Sequence, residues 1–225
     1  MKKSIILIAL VSLFIINGAK AQEKPFVFGV RIAPSIGWMK PDHTSYQNQG
    51  SDVGFSWGFM AEFHLMENYA VNSGFNISYL NSTLEYPDTR DGEDGTLNRG
   101  YRLKYVEIPL TLKMRTNDFN GISYFGLVGF GAGFKLSAKA KDKYTNSLGQ
   151  VNEELDISDD IKAMRVSMIL GVGMEYAAGG DTKVLGGINF NNGINDILKG
   201  QNTTTTTINH KAINNFFELY VAVLF

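Results

Sequence analysis

From Phe26 onward, apolar residues alternate with small or polar ones at a period of two. Phe26, Phe28, Val30, Ile32, Pro34, Ile36 and Trp38 share one side, and Val27, Gly29, Arg31, Ala33, Ser35 and Gly37 the other. A second segment sets Phe55, Trp57, Phe59, Ala61, Phe63 and Leu65 against Ser56, Gly58, Met60, Glu62 and His64. A third sets Tyr69, Val71, Phe75, Ile77 and Tyr79 against Asn72, Gly74, Asn76 and Ser78. Strict alternation of this kind predicts β-strands with one face toward an apolar medium. Five more segments follow, roughly Tyr101–Met114, Ile122–Ser137, Arg165–Tyr176, Lys183–Asn192 and Ile213–Phe225. In the first of these the apolar parity moves from Tyr101, Leu103 and Tyr105 to Val106, Ile108, Leu110 and Leu112. A one-residue slip exchanges the faces of a strand, so this predicts a β-bulge near Tyr105 and Val106, with Pro109 just beyond it.

The connections alternate in length. Met66 to Asn68, Arg115 to Gly121 and Ala177 to Thr182 are short, whereas Asn81 to Gly100 and Ala138 to Met164 are long and polar. Tight turns at one end and long loops at the other characterise transmembrane barrels, and a soluble meander has no reason for that asymmetry. The bulky face decides between the two. Aromatic rings on every second residue would not fit inside a barrel of about eight strands, but they suit its lipid-facing surface. Trp38, Trp57, Phe55, Tyr79 and Tyr101 fall near the long-loop ends, and Phe26, Phe63, Tyr69, Tyr124, Tyr176 and Phe225 near the short-turn ends, as two aromatic girdles. The expected fold is an all-β, antiparallel, up-and-down transmembrane β-barrel of about eight strands, with short periplasmic turns and long extracellular loops.

The N-terminus sharpens the placement. Lys2 and Lys3, the apolar run Ile5 to Ile16 and the small residues of Ala19-Lys20-Ala21 form a secretory signal peptide pattern over residues 1–21, leaving 22–225 as the barrel domain. Cleavage would remove Lys2, Lys3 and Lys20 and no acid, so 18 of the 21 basic residues remain against 22 acidic ones, a net charge of −4. Nothing there is basic enough for nucleic acid. The chain has no Cys, so a lipoprotein anchor and disulfides are excluded. The last strand alternates Phe217, Leu219, Val221 and Val223 up to a terminal Phe225, which looks like the signal read by the barrel-assembly machinery. An even strand count places both termini in the periplasm.

If the bulky face meets lipid, the charges must point into the lumen: Arg31, Glu62, Arg102, Lys104, Glu107, Lys113, Lys135, Arg165, Glu175 and Glu218. Arg or Lys on the lipid face would cost about 2–4 kcal/mol near the midplane. In a narrow lumen such charges have to pair. Arg31 and Glu218 stand at matching heights on strands that become neighbours if the barrel closes. They are therefore expected to face each other, with Glu107 at a similar level, as a structural lumen cluster.

Catalytic and metal-binding chemistry is thinly represented. His64 is expected inward, while His43 and His210 lie in loops without ligand spacing. Asp42, His43 and Ser45 share a short loop, Asp91 to Gly95 offers oxygen ligands without the full calcium-loop pattern, and the acids from Glu153 to Asp160 suit a solvated face. Thr203 to Thr207 is a low-complexity loop. No catalytic, cofactor or metal site is assigned, and no cofactor is expected.

Tyr105-Val106-Glu107-Ile108-Pro109-Leu110-Thr111-Leu112-Lys113 resembles the tyrosine-x-glutamate-isoleucine-proline-leucine strand of PorT-like outer-membrane β-barrel proteins of Bacteroidetes. Tyr124-Phe125-Gly126 with Gly129, Gly131 and Gly133, and Gly171-Val172-Gly173-Met174-Glu175-Tyr176, are similar to its later glycine-rich strands. The resemblance implies an integral outer-membrane barrel; the family's namesake assists a protein-secretion system. The expected role is structural or protein-interacting, accessory to secretion, and the alternative is a narrow channel or small-ligand passage. A membrane-embedded enzyme is the third class, with no convincing residues to carry it. Expected partners are outer-membrane lipids, the barrel-assembly machinery, and a secretion-system or surface partner.

Overall fold

The computed structural model describes residues 25–225, so the signal-peptide segment lies outside the described residues. Its strands are β1 (Phe26–Pro41), β2 (Gln47–Asn48), β3 (Asp52–Met66), β4 (Tyr69–Arg90), β5 (Glu93–Arg115), β6 (Ile122–Asn146), β7 (Gly149–Asp156), β8 (Met164–Gly179), β9 (Thr182–Gly193) and β10 (Ala212–Leu224). Eight of them close a ring in the order β1, β3, β4, β5, β6, β8, β9, β10, each antiparallel to its neighbours. The seam pairs Gly29 with Leu224 and Pro41 with Ala212. Closure matters because hydrocarbon offers no partner to an unpaired strand edge.

Around the lower part of the ring the expected faces are present. Phe28, Ile32, Trp57, Phe130 and Leu219 point outward and are about half exposed, whereas Val27, Ala33, Ser56 and Asn72 are buried inside. Phe26, Phe63, Tyr69, Tyr124, Tyr176 and Phe225 ring the short-turn rim on the outer surface. On the outer face near the other rim, Trp38 packs against Phe217 and Phe190, with ring centroids 5.8 and 6.2 Å away.

The long polar connections need correction. Asn81 to Gly100 is not a loop: β4 and β5 continue as a hairpin to a two-residue Asp91-Gly92 turn. Both turn residues have positive φ, 53° and 80°, the requirement of a tight hairpin turn that Asp-Gly meets at little cost. Much of Ala138 to Met164 is likewise strand, the upper β6 paired with β7. β2 adds to the edge of β4.

In this extension the apolar face is reversed. Leu80, Leu84 and Tyr86 of β4, Leu97, Tyr101 and Leu103 of β5, and Ala138, Ala140 and Tyr144 of β6 are buried on the inner side. Outside them lie Arg102, Lys139, Lys141 and Lys143, exposed to water. Tyr101 is therefore an interior residue and not part of a girdle, and Arg102 and Lys104 point outward instead of into the lumen. Arg102 lies 3.6 Å from Glu154, and the Lys104 ammonium sits 5.2 Å from the centre of the Tyr79 ring.

The bulge also moves. Along β5 the inward parity runs unbroken through Tyr101, Leu103, Tyr105, Thr111 and Lys113. Its apolar pattern shifts because the medium outside it changes. The extra residue belongs to β6: Lys104 pairs with Ser137 and Tyr105 with Lys135, so Leu136 is passed over. Inward positions on β6 change there from odd (Phe125, Leu127) to even (Ala138, Ala140).

Gly29 shows how tightly the seam is drawn, since a Cβ there would sit 1.8 Å from the Val223 carbonyl oxygen. Gly29→Val is expected to destabilise the barrel by about 1–3 kcal/mol. Gly186→Ala, where nothing lies within 4 Å, should change stability by less than about 0.5 kcal/mol. Urea titration of the refolded barrel, followed by heat-modifiable gel mobility, measures both.

Candidate functional site

Two regions concentrate polar chemistry: the lumen and the inner side of the strand extension. In the lumen nearest the short-turn rim, Lys113 of β5 reaches across to Glu62 of β3, with Nζ 2.9 and 3.1 Å from its carboxylate oxygens, and donates also to Glu175 of β8. Arg115 donates to Glu175 at 2.9 Å, Lys183 Nζ lies 3.8 Å from it, and His64 Nε2 is 3.1 Å from Glu62. Lys113 is almost wholly buried, and its ammonium lies 4.8 Å from the centre of the Phe125 ring.

One tier up, Arg31 Nη2 lies 2.8 Å from Glu218 Oε1, with both side chains buried. The N–H of that nitrogen is not aligned with the oxygen, so the contact is an ion pair and not a directed hydrogen bond. Glu218 is held from the other side by Asn189 Nδ2 at 2.9 Å and Ser56 Oγ at 3.3 Å. Glu107 stands at the same level, along the register Arg31, Gly58, Asn76, Glu107. Its ionic partner is Arg165, at 2.8 Å, and Ser78 Oγ donates to it at 2.6 Å. Arg31, Glu107 and Glu218 all line one cavity of about 30 Å³. Buried polar atoms of Asn72, Asn76 and Ser167 around it have no protein partner, so a water or two would satisfy them.

Above this level the lumen is stopped by chain. The segments 157–163 and 194–200 tuck into the mouth, joined by Lys162 N–H donating to the Ile197 carbonyl at 2.7 Å and Lys199 N–H to the Asp160 carbonyl at 2.8 Å. They bring Ile157, Ile161, Ile197 and Leu198 into one apolar core with Met39, Leu103 and Phe216. Lys135 points inward as expected and serves this stopper, its ammonium donating to the carbonyls of Ser158 and Ile161.

Beyond the stopper, the inner side of the β4–β6 extension holds a second network. Arg99 grips Asp142 with two hydrogen bonds of 2.7 Å, and Arg90 reaches Asp142 at 2.6 Å and Asp88 at 3.0 Å. Burial pushes the Asp142 carboxyl up, but the two guanidiniums outweigh it and hold it below its ordinary value. Thr203 donates to Asp88, and Thr89 N–H donates to Thr203 Oγ1 at 2.8 Å, so the threonine-rich loop clasps the hairpin tip. Tyr46 stacks on Tyr86 with centroids 4.6 Å apart, accepts a hydrogen bond from Asn202 at 2.9 Å and lies 2.8 Å from His210 Nδ1. Between the hairpin and the 198–210 loop opens a recess of about 300 Å³, lined among others by Tyr86, Arg99, Tyr101, Asp160, Lys199 and His210.

The remaining sequence candidates resolve into local structure. In the Asp42, His43, Ser45 loop, the backbone N–H of Ser45 donates to His43 Nδ1 at 3.2 Å. Asp94 accepts from the Thr89 hydroxyl at 2.6 Å beside the hairpin turn. Among the described residues, no group of three or more His, Cys, Asp or Glu side chains could hold a metal ion. Of the recess residues, His210, Asp160 and Thr203 were weighed only as loop residues and Tyr101 as a girdle ring, while Tyr86, Arg99 and Lys199 carried no expectation, although Leu84, Tyr86, Asp88 and Arg90 do alternate and could have been read as a strand facing water.

Residues 20–199 match the family described as outer membrane protein beta-barrel domain. No curated protein matches the chain in sequence. Among solved structures, the chain is similar to Neisserial surface protein A, at 13% identity and a TM-score of 0.47, covering 89% of this chain and 96% of that one. It is also similar to OprG from Pseudomonas aeruginosa, at 11% identity and a TM-score of 0.45, covering 88% and 93%. Ail, the attachment invasion locus protein of Yersinia pestis, matches at 13% identity and a TM-score of 0.38, covering 90% and 100%.

Two outcomes follow from the geometry. Lys113→Met leaves Glu62 and Glu175 facing each other around a buried apolar group and should cost about 3 kcal/mol in urea unfolding. Adding Glu62→Gln and Glu175→Gln should restore most of that loss. In the extension, burial and then the Arg99 guanidinium push His210 below its ordinary value. The folded loop therefore keeps the imidazole neutral while the unfolded loop takes up a proton, so stability here is present at neutral pH and is lost as pH falls below about 6.5. Hydrogen exchange of residues 208–211, corrected for intrinsic rates, should quicken between pH 7 and pH 5, and His210→Gln should remove that dependence.

Proposed function

Because the chain belongs to the outer membrane protein beta-barrel domain family and is thus an integral outer-membrane protein, we propose that it is a sealed barrel acting as a structural or interaction element and not as a pore. The observation that carries this reading is the double closure of the lumen. The Lys113 cluster braces it near the short-turn rim, and the apolar stopper of Ile157, Ile161, Ile197 and Leu198 fills the opposite mouth. An eight-stranded interior is just wide enough for side chains to fill.

The orientation that fits best has both termini and the short turns in the periplasm, with the strand extension outside the cell. Long strands and the polar recess then face the surroundings, where recognition is useful. The terminal Phe225 strand, whose N–H donates to the Phe28 carbonyl at 2.8 Å, suits recognition by the barrel-assembly machinery. The PorT-like strand Tyr105 to Lys113 supports a narrower reading, a role accessory to secretion. Crosslinking in native outer membranes tests it: recovery with secretion components would support that role, and recovery alone would favour a stand-alone barrel.

Planar-bilayer recordings test the sealed lumen directly. The purified protein is expected to give no steady openings, and neither is a variant carrying Lys113→Ala, Glu62→Ala and Glu175→Ala, because the apolar stopper remains. Stable conductance steps from the unmodified protein would overturn the reading in favour of a narrow channel.

A further inference from the structure

We propose that the recess between the β4–β5 hairpin and the 198–210 loop binds a single uncharged sugar ring, of the kind that ends or decorates a surface glycan. The proposal rests on the reading of the strand extension as the outward recognition end. Size is the first argument. About 300 Å³ lies at the lower limit of the ~300–1,000 Å³ typical of small-molecule sites, enough for one ring but not for an extended chain.

Charge is the second argument, and it separates a sugar from an anion. Arg90 and Arg99 have the chemistry of anion-binding groups, but Arg90 is already engaged by Asp88, Asp142 and Glu153, and Arg99 by both carboxylate oxygens of Asp142. Lys199 on the rim is opposed by Asp160 from the facing segment, which also lines the recess. Three cations stand against four carboxylates, Asp88, Asp142, Glu153 and Asp160, leaving no net positive field to hold a phosphate or sulfate.

What remains is a set of groups that donate and accept at short range. The rim offers the exposed Asp160 carboxylate and Lys199 ammonium, and the wall offers a neutral imidazole at His210 above the buried phenols of Tyr86 and Tyr101, whose hydroxyls bond each other. Burial keeps both phenols protonated, with Tyr101 pushed up to about 12 against the opposing effect of Arg99. A ring of hydroxyls is the ligand class whose every edge can both donate and accept, and it matches such a lining without needing charge. The recess is also braced before any ligand arrives. Thr203, Asn202 and Tyr46 tie the covering loop to the hairpin, so little ordering remains to be lost on binding.

The test is saturation-transfer difference NMR on the refolded protein in micelles, with the methyl pyranosides of glucose, galactose and N-acetylglucosamine, and with inorganic phosphate and sulfate in competition. At least one pyranoside should give a saturable signal in the millimolar range that neither anion displaces. Asp160→Ala with Lys199→Ala should weaken it about tenfold; both side chains are exposed, so the variant should keep its heat-modifiable mobility. No pyranoside signal, displacement by phosphate or sulfate, or unchanged binding by the double variant would each overturn the proposal. These outcomes are independent of bilayer conductance, so loss of the sugar site and loss of the sealed-barrel reading can be told apart.

Discussion

The outer face of every strand has to match the medium it touches, and in this protein single strands pass from one medium to another. In the lower ring that medium is hydrocarbon, so bulky side chains face out and the polar ones are driven inside. Past Tyr105 the outer medium is water, and the same backbone turns its apolar residues inward around Leu84, Leu97 and Tyr101. Two devices accomplish the change. β5 keeps its parity and exchanges the chemistry of its faces, whereas β6 inserts Leu136 and exchanges its parity as well. Without that extra residue the inward Ala138, Ala140, Asp142 and Tyr144 would all point into solvent.

This constraint also explains what could be read from the chain. Eight strands, their lipid face and the seam were legible because hydrocarbon enforces a coarse contrast of Phe or Ile against Ser, Gly or Asn. In water the outer residues are lysines, asparagines and threonines, so the stretches after Asn81 and Ala138 resemble loops by composition although they alternate just as strictly. The shift in β5 looked like a slip for the same reason: pattern alone does not distinguish a flipped strand from a changed medium. Arg31 and Glu218 could be matched because they sit on adjacent strands, although the register sets Arg31 against Ala222 and Glu218 against Ser35, so the long arginine arm and not equal height closes the pair. Lys113 could not be matched with Glu62 and Glu175, since each lies two strands away around the ring and cross-lumen distance is not written in any local spacing. The stopper was hidden more deeply, because Ile161, Ile197 and Leu198 lie in irregular backbone with no period to betray them.

The interior charges are therefore best understood as cross-braces. Long Lys and Arg arms connect strands that share no backbone hydrogen bonds, and they do so where the narrow lumen excludes bulk water. Replacing such a network by apolar residues need not weaken a fold, but leaving it half-paired does. The interior consequently tolerates coordinated change and resists single change.

The hairpin that ends at Asp91-Gly92 has one further consequence, which concerns reach. From Lys104 to Glu93 the strand runs eleven steps, and at about 3.4 Å per step with a tilt near 40° it rises roughly 25–30 Å above the lipid boundary. The switch from apolar to charged outer residues pins the depth of the barrel in the bilayer, so this height is not free to drift. The protein thus carries its own stalk, made of the same hydrogen-bonded strands that cross the membrane. In the orientation proposed above, it presents the hairpin tip and the adjoining recess at a fixed stand-off, beyond the headgroups and within the layer of sugars that coats an outer membrane.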